Sequence, residues 1–176
     1  IISSNSEDAI NLVSSNSKIK NLIVKNIQAD AIDIDFGTLN FKNIICENIY
    51  NDCLDVSGAE VTGNQISGSN VKDKGLSFGE NSKGEITNLK FVNSRLGVAV
   101  KDGSDLKLTK YNFKNNEFDL VVFNKKKEYE GASLYIDDSK NDNQLNYLIG
   151  FNNEIVRGQK TLTKKIDNKK INEMFY

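Results

Sequence analysis

NDCLDVSGAEVTGNQISGSNVKDKGLSFGENS, residues 51–82, decides the fold. Within it, Leu54-x-Val56 and Leu76-x-Phe78 are one apolar-x-apolar unit written twice, 22 residues apart. Side chains alternate across a strand, so each unit is a short strand with one buried face. Gly, Ser, Asn and Asp fill much of the rest, the chemistry of turns. Outward from this stretch the spacing holds. Ile10, Ile32, Leu54, Leu76, Val98 and Leu120 form one column, and Leu12, Ile34, Val56, Phe78, Val100 and Val122 another. A fixed period of this length marks a solenoid, in which one coil's strand stacks on the next.

A second ladder runs alongside. Leu22, Ile44 and Ile66 share the 22-residue spacing, as do Val24, Cys46 and Gly68. After a one-residue insertion between Gly79 and Gly84, Leu89 and Tyr111 continue it, with Phe91 and Phe113 beside them. Ile19, Phe41, Gly63, Ile86 and Leu108 lie between the two ladders, which predicts three short apolar segments per coil. Asn26, Asn48, Asn70, Asn93 and Asn115 form a further column. Asn tolerates left-handed backbone and its amides can bond along a stack, so a tight turn is expected there.

The prediction is an all-β chain: a right-handed parallel β-helix of about six to seven coils over residues 1–153, then a C-terminal cap at 154–176. Tyr147-x-Ile149-x-Phe151-x-Asn153 is similar to Tyr111-x-Phe113-x-Asn115, which suggests a partial last coil. A leucine-rich repeat is the rival for this period. IKNLIVKNI and FKNIICENI approach its motif, but the Gly- and Ser-rich remainder leaves little room for a helix.

Composition narrows the chemistry. The chain has no His, which excludes a Ser-His-Asp triad, a Cys-His pair and a His-based zinc site. A net charge of -1 gives no global reason to expect nucleic acid as partner. No apolar run is long enough to span a membrane. The start, Ile1-Ile2-Ser3-Ser4, suggests a processed chain or an excised fragment. Cys46 and Cys53 could pair; Cys46 occupies an inward column that reads as core and Cys53 the column of Ala31, Gly75 and Gly97, where small residues are wanted, so neither is expected to be reactive.

The sharpest candidate site is acidic. Ile32 and Ile34 point inward, so Asp33 and Asp35 point outward, and Asp55 stacks on Asp33. Asp30 and Asp52 lie beside them. Stacked like charges repel, and either a raised pKa or a bound Ca²⁺ would relieve them, so Asp33, Asp35 and Asp55 are the metal candidates. Lys74 and Lys101 fall in neighbouring columns. Lys125, Lys126 and Tyr129 form a basic loop suited to a sugar, and equally a solvated loop tip.

Three segments per coil, the 22-residue period and the Asn ladder resemble the pectate-lyase-like right-handed β-helix superfamily. NDCLDVSGAEVTGNQISGSNVKDKGLSFGENS and LGVAVKDGSDLKL look like β-helix modules of bacterial secreted and surface proteins. The resemblance implies a secreted or cell-surface location. It also implies action on acidic polysaccharide through Asp33 and Asp55, with Lys74 or Lys101 as base. No complete catalytic motif of that family is present. The first expectation is therefore a non-catalytic module that associates with carbohydrate or with neighbouring domains. A polysaccharide lyase or epimerase is the alternative, and a phage tailspike or adhesin fibre segment the second alternative.

Overall fold

The computed structural model describes Ser3 and residues 7–137 and 144–176. In chain order the strands are β1 (Asn11–Val13), β2 (Asn16–Ile27), β3 (Asp33–Asp35), β4 (Thr38–Ile49), β5 (Leu54–Ser57), β6 (Glu60–Val71), β7 (Lys74–Gly79) and β8 (Lys83–Val92). They continue as β9 (Leu96–Lys101), β10 (Asp105–Lys114), β11 (Phe118–Phe123), β12 (Ser133–Ile136), β13 (Tyr147–Gly150), β14 (Glu154–Arg157), β15 (Lys160–Thr161) and β16 (Lys165–Ile166), before the helix α1 (Asn168–Phe175). Odd-numbered strands β1 to β13, with β16, make one eight-stranded sheet; even-numbered strands β2 to β14, with β15, make the other. The result is an all-β parallel solenoid of about six turns, each coil about 22 residues long. Strands occupy the arcs that a leucine-rich repeat would give to helices.

The register follows the apolar columns. Leu54 lies against Leu76 and Val56 against Phe78, and both columns are buried. The insertion falls where expected: Ser57 pairs with Gly79, 22 residues on, whereas Glu60 pairs with Lys83, 23 on.

The three separate segments predicted for each coil are two. The second and third fuse into one strand of 12 residues in β2, β4 and β6. Leu39 and Phe41 point inward, and so do Ile44 and Cys46, but the gap between Phe41 and Ile44 is odd. The alternation changes phase there, so Lys42 and Asn43 both face away from the core and the strand turns a corner without leaving its sheet. The pairing between β2 and β4 accordingly runs from Ile19–Phe41 to Asn21–Asn43 and omits position 20.

The Asn column makes the next turn. Asn26, Asn48, Asn70, Asn93 and Asn115 all have φ between 55° and 57°, the left-handed region that Asn tolerates. The Asn70 amide donates to Asn48 Oδ1 and the Asn48 amide to Asn26 Oδ1, each at 3.0 Å. A disulfide joins Cys46 to Cys53 across the Asn48 turn, with the Cα atoms 5.9 Å apart. Both cysteines are fully buried.

Glycines at inward positions make room for rings. A Cβ on Gly63 would lie 2.0 Å from Phe41 Cζ, and one on Gly68 2.5 Å from Phe91 Cε1. Phe41 and Gly63 are axial neighbours, as are Gly68 and Phe91. Each ring leans over the coil that lacks a side chain and so keeps the interior at packed density.

The last coils depart from the sequence-based reading. Tyr147 pairs with Leu120 and Ile149 with Val122, so this string extends the first ladder instead of the Tyr111–Phe113 one. Asn153 is buried and accepts the Ala132 N–H at 2.7 Å, while Asn152 takes the left-handed turn. Parallel pairing runs past residue 153, because β14 pairs with β12 and β16 with β13. The antiparallel β14–β15 pair then closes that edge of the long-strand sheet. α1 is capped by Asp167, whose carboxylate accepts the Lys169 N–H at 2.8 Å. Its Ile171 and Phe175, one turn apart, bury against Leu96, Ala99, Val121 and Phe123. The helix therefore lies on the outer face of the short-strand sheet. That face is acidic at β3 and β5 but apolar at β9 and β11. The polar stretch DSKNDNQ, residues 138–144, which reads as a long loop, lies mostly outside the described residues.

Candidate functional site

The acidic face forms as the alternation requires. Asp33 pairs with Asp55 and Asp35 with Ser57 in parallel register. Ser77 continues the Asp33–Asp55 column. Burial, then the charges of Asp35 and Asp55, push the Asp33 carboxyl up to about 7. Burial and Asp55 raise Asp35 as well. Among the described residues, no group of three or more carboxylates or thiolates closes to a geometry that could hold a metal ion. Asp33 and Asp55 stand one above the other and Asp35 two residues along the strand, a row rather than a cage.

Asp30 and Asp52 belong to a different device. Asp8 Oδ1 accepts the Asp30 N–H at 3.0 Å, Asp30 Oδ1 accepts the Asp52 N–H at 2.7 Å, and Asp52 Oδ1 accepts the Lys74 N–H at 2.9 Å. Each carboxylate thus satisfies the backbone one coil later, at a turn where a buried N–H would otherwise be unpaired. Burial pushes Asp30 up to about 6 despite the Asp52 N–H.

Lys74 and Lys101 are covered. Only 3% of Lys74 and 8% of Lys101 is exposed. Lys74 Nζ lies 3.4 Å from Asp52 Oδ1 and also pairs with Asp73. Burial works against the Lys74 charge, but Asp52, Tyr176 and Asp73 outweigh it and the pKa rises. Burial likewise opposes Lys101, and Asp55 and Tyr176 hold its proton. A lysine that must abstract a proton at neutral pH needs the opposite shift. Burial raises the carboxyl of Asp52, and the Lys74 charge draws it back.

The C-terminal residue ties these groups to the basic loop. Lys74 Nζ stands 5.2 Å and Lys125 Nζ 3.7 Å from the Tyr176 ring centre, and Lys101 Nζ donates to the Tyr176 hydroxyl at 3.5 Å. Burial, with Lys101 and Lys74 nearby, lowers the Lys125 pKa. Asp102 Oδ1 accepts the N–H groups of Lys125 and Lys126 at 2.7 and 2.8 Å, and the Asn124 amide donates to the carbonyls of Tyr129 and Glu130 at 3.0 and 2.7 Å. The loop is therefore a fixed wall.

Opposite it stands α1, and between them lies a cleft of about 840 Å³. Lys125 and Tyr129 line it, with Lys127, Asn152, Asn172 and Tyr176. Lys126 turns away and pairs with Glu80. Asn152, Asn172 and Tyr176 had no signal in the sequence, because nothing in a repeat pattern shows where a segment beyond the repeat will dock.

The carboxyl shift has a measurable consequence. For a carboxyl raised from 3.8 to about 7, the folded chain binds more protons than the unfolded one across that range. Stability therefore falls as pH rises through it. Asp33→Asn removes the penalty. Solvent screening at this partly exposed position trims the gain to about 1 kcal/mol, so Tm at pH 8 is expected to rise by about 2–4 °C. At pH 4 the two proteins should melt together. A lower Tm for Asp33→Asn at pH 8 would count against the raised carboxyl.

Fold and site together define a parallel β-solenoid with a lateral cleft where α1 folds back on its outer face. Comparison with protein-family models, with curated proteins and with solved structures returned no match. Among the described residues, no helix is long and apolar enough to cross a membrane.

Proposed function

We propose that this chain is a non-catalytic β-solenoid module of a secreted or surface protein, related to the pectate-lyase-like repeats, that binds carbohydrate in the cleft between residues 124–131 and α1. The observation that carries the proposal is the composition of that cleft. It sets the Tyr129 and Tyr176 rings among amides and ammonium groups on a pinned wall. A sugar needs such a mixture: apolar surface for its C–H faces and fixed donors and acceptors for its hydroxyls. Six charged side chains line the cleft, Lys125, Lys127, Lys169, Glu130, Asp167 and Glu173, and their signs balance. The Cys46–Cys53 disulfide supports an oxidising compartment.

A panel of uncharged and uronate oligosaccharides, titrated calorimetrically, tests the proposal. Saturable binding is expected, weakened about tenfold by Tyr129→Ala, the loss of one ring contact. No unsaturated or reducing ends should be released on prolonged incubation. Failure of every member to bind, or the lack of any member whose binding Tyr129→Ala weakens, would refute the cleft as the site. Release of new chain ends would refute the non-catalytic reading.

A further inference from the structure

A second polar surface lies at the Asn turn itself, and it is built from two columns. Asn26, Asn48 and Asn70 form one wall of a groove, and Gln28, Tyr50 and Lys72 the other; the groove encloses about 360 Å³. Ile27, Ile49 and Val71, between the two columns in sequence, point into the core. Both columns advance by one coil per residue, so the groove runs parallel to the solenoid axis.

The amides on the first wall are exposed, and each uses only part of its hydrogen-bonding capacity along the ladder. Asn48 donates once, to Asn26, and accepts once, from Asn70. An Asn side chain has two N–H donors and two lone pairs, so one of each remains. The left-handed backbone at these residues fixes where the amides stand. On the second wall, Gln28, Tyr50 and Lys72 make no side-chain hydrogen bond or ion pair with a described residue. Tyr50 is 55% exposed, one of the few large apolar side chains left in solvent. The wall holds no carboxylate, and Lys72 is its one charge.

We infer that this groove binds an uncharged β-linked hexose chain lying along the solenoid axis. Successive coils lie ~4.8 Å apart, close to the advance of one β-linked hexose along an extended chain. Successive sugars therefore meet successive amides in step, and their hydroxyls take up the spare donors and acceptors. The Tyr50 ring packs against the C–H face of the middle sugar. The groove ends at the fourth coil. There Arg95 reaches across to Glu117 and Asp73 and donates to the Met174 carbonyl at 2.8 Å. Three coils give three sugar positions. The inference is independent of the cleft, which lies at the other end of the molecule's sequence and uses none of these residues.

Cellohexaose is the probe, titrated into the full chain and followed by calorimetry and by Tyr fluorescence. Saturable binding is expected, about level from the hexamer down to the trimer, weaker for the dimer, and with little change between low and high salt. Tyr50→Ala should weaken it about tenfold, and Asn48→Gly, which keeps the left-handed turn accessible, by a similar factor. Tyr50 is exposed, so the melting temperature of Tyr50→Ala should match the wild type and rule out misfolding. Tyr129→Ala should leave this binding unchanged. Absence of saturable binding at millimolar cellohexaose would overturn the inference. So would wild-type affinity in Tyr50→Ala, or loss of binding in Tyr129→Ala alone, which would move the sugar to the cleft.

Discussion

Lys74→Met is expected to cost about 3–5 kcal/mol at pH 8, which at ~2–4 °C per kcal/mol lowers Tm by roughly 6–20 °C. The replacement keeps the length and most of the apolar stem of the side chain, so packing changes little. What changes is charge. Asp52 is 2% exposed, and among the described residues Lys74 is its only cationic partner at contact distance. Without it, Asp52 faces Asp55, Asp73 and Asp30 in a site where burial already raises its carboxyl. The folded mutant must take up a proton or hold a buried, unpaired charge. The loss should grow as pH rises from the unfolded carboxyl range and be complete only above the raised carboxyl value of the folded mutant. As pH falls toward 4 it should shrink, because both states then carry the proton. Thermal melts at pH 8 and pH 5 check this. A loss of equal size at both values would mean that Lys74 acts through packing and not through charge.

Phe41→Ala is expected to cost about 3–5 kcal/mol, the usual range for emptying a buried aromatic site. Gly63→Ala should also destabilise, by about 1–3 kcal/mol, because the new methyl meets the Phe41 ring. The double variant Phe41→Leu/Gly63→Ala should recover much of the second loss, since the methyl then enters space that the ring has vacated. Urea denaturation of the singles Phe41→Leu and Gly63→Ala and of the double gives the coupling energy. A value near zero would show that ring and glycine do not share one cavity. The same pairing recurs at Phe91 with Gly68, so a solenoid with alternating large and absent side chains is one packing scheme repeated.

Much of this molecule was legible before any coordinates. The columns of Leu54 and Leu76, the insertion after Gly79 and the left-handed Asn turn all follow from one fact: each coil returns the chain to the same place after a fixed count of residues. The acidic row of Asp33 and Asp55 was legible for the same reason. The bend inside β4 was legible in principle, since three positions instead of two separate Phe41 from Ile44. The end of the solenoid was not. Tyr147-x-Ile149-x-Phe151 has the spacing of two different ladders, and only pairing with Leu120 and Val122 chooses between them.

The sequence by itself determined the period, the strand faces, the turn residues and hence the parallel solenoid, because those depend on repeated local pattern. Tertiary structure alone decided that Asp52 and Lys74 are buried partners and that Tyr176 returns to lie against lysines from three coils. It also decided where the cleft opens. Those outcomes rest on contacts between residues far apart in the chain and on which groups lose their water, and spacing along a sequence carries neither.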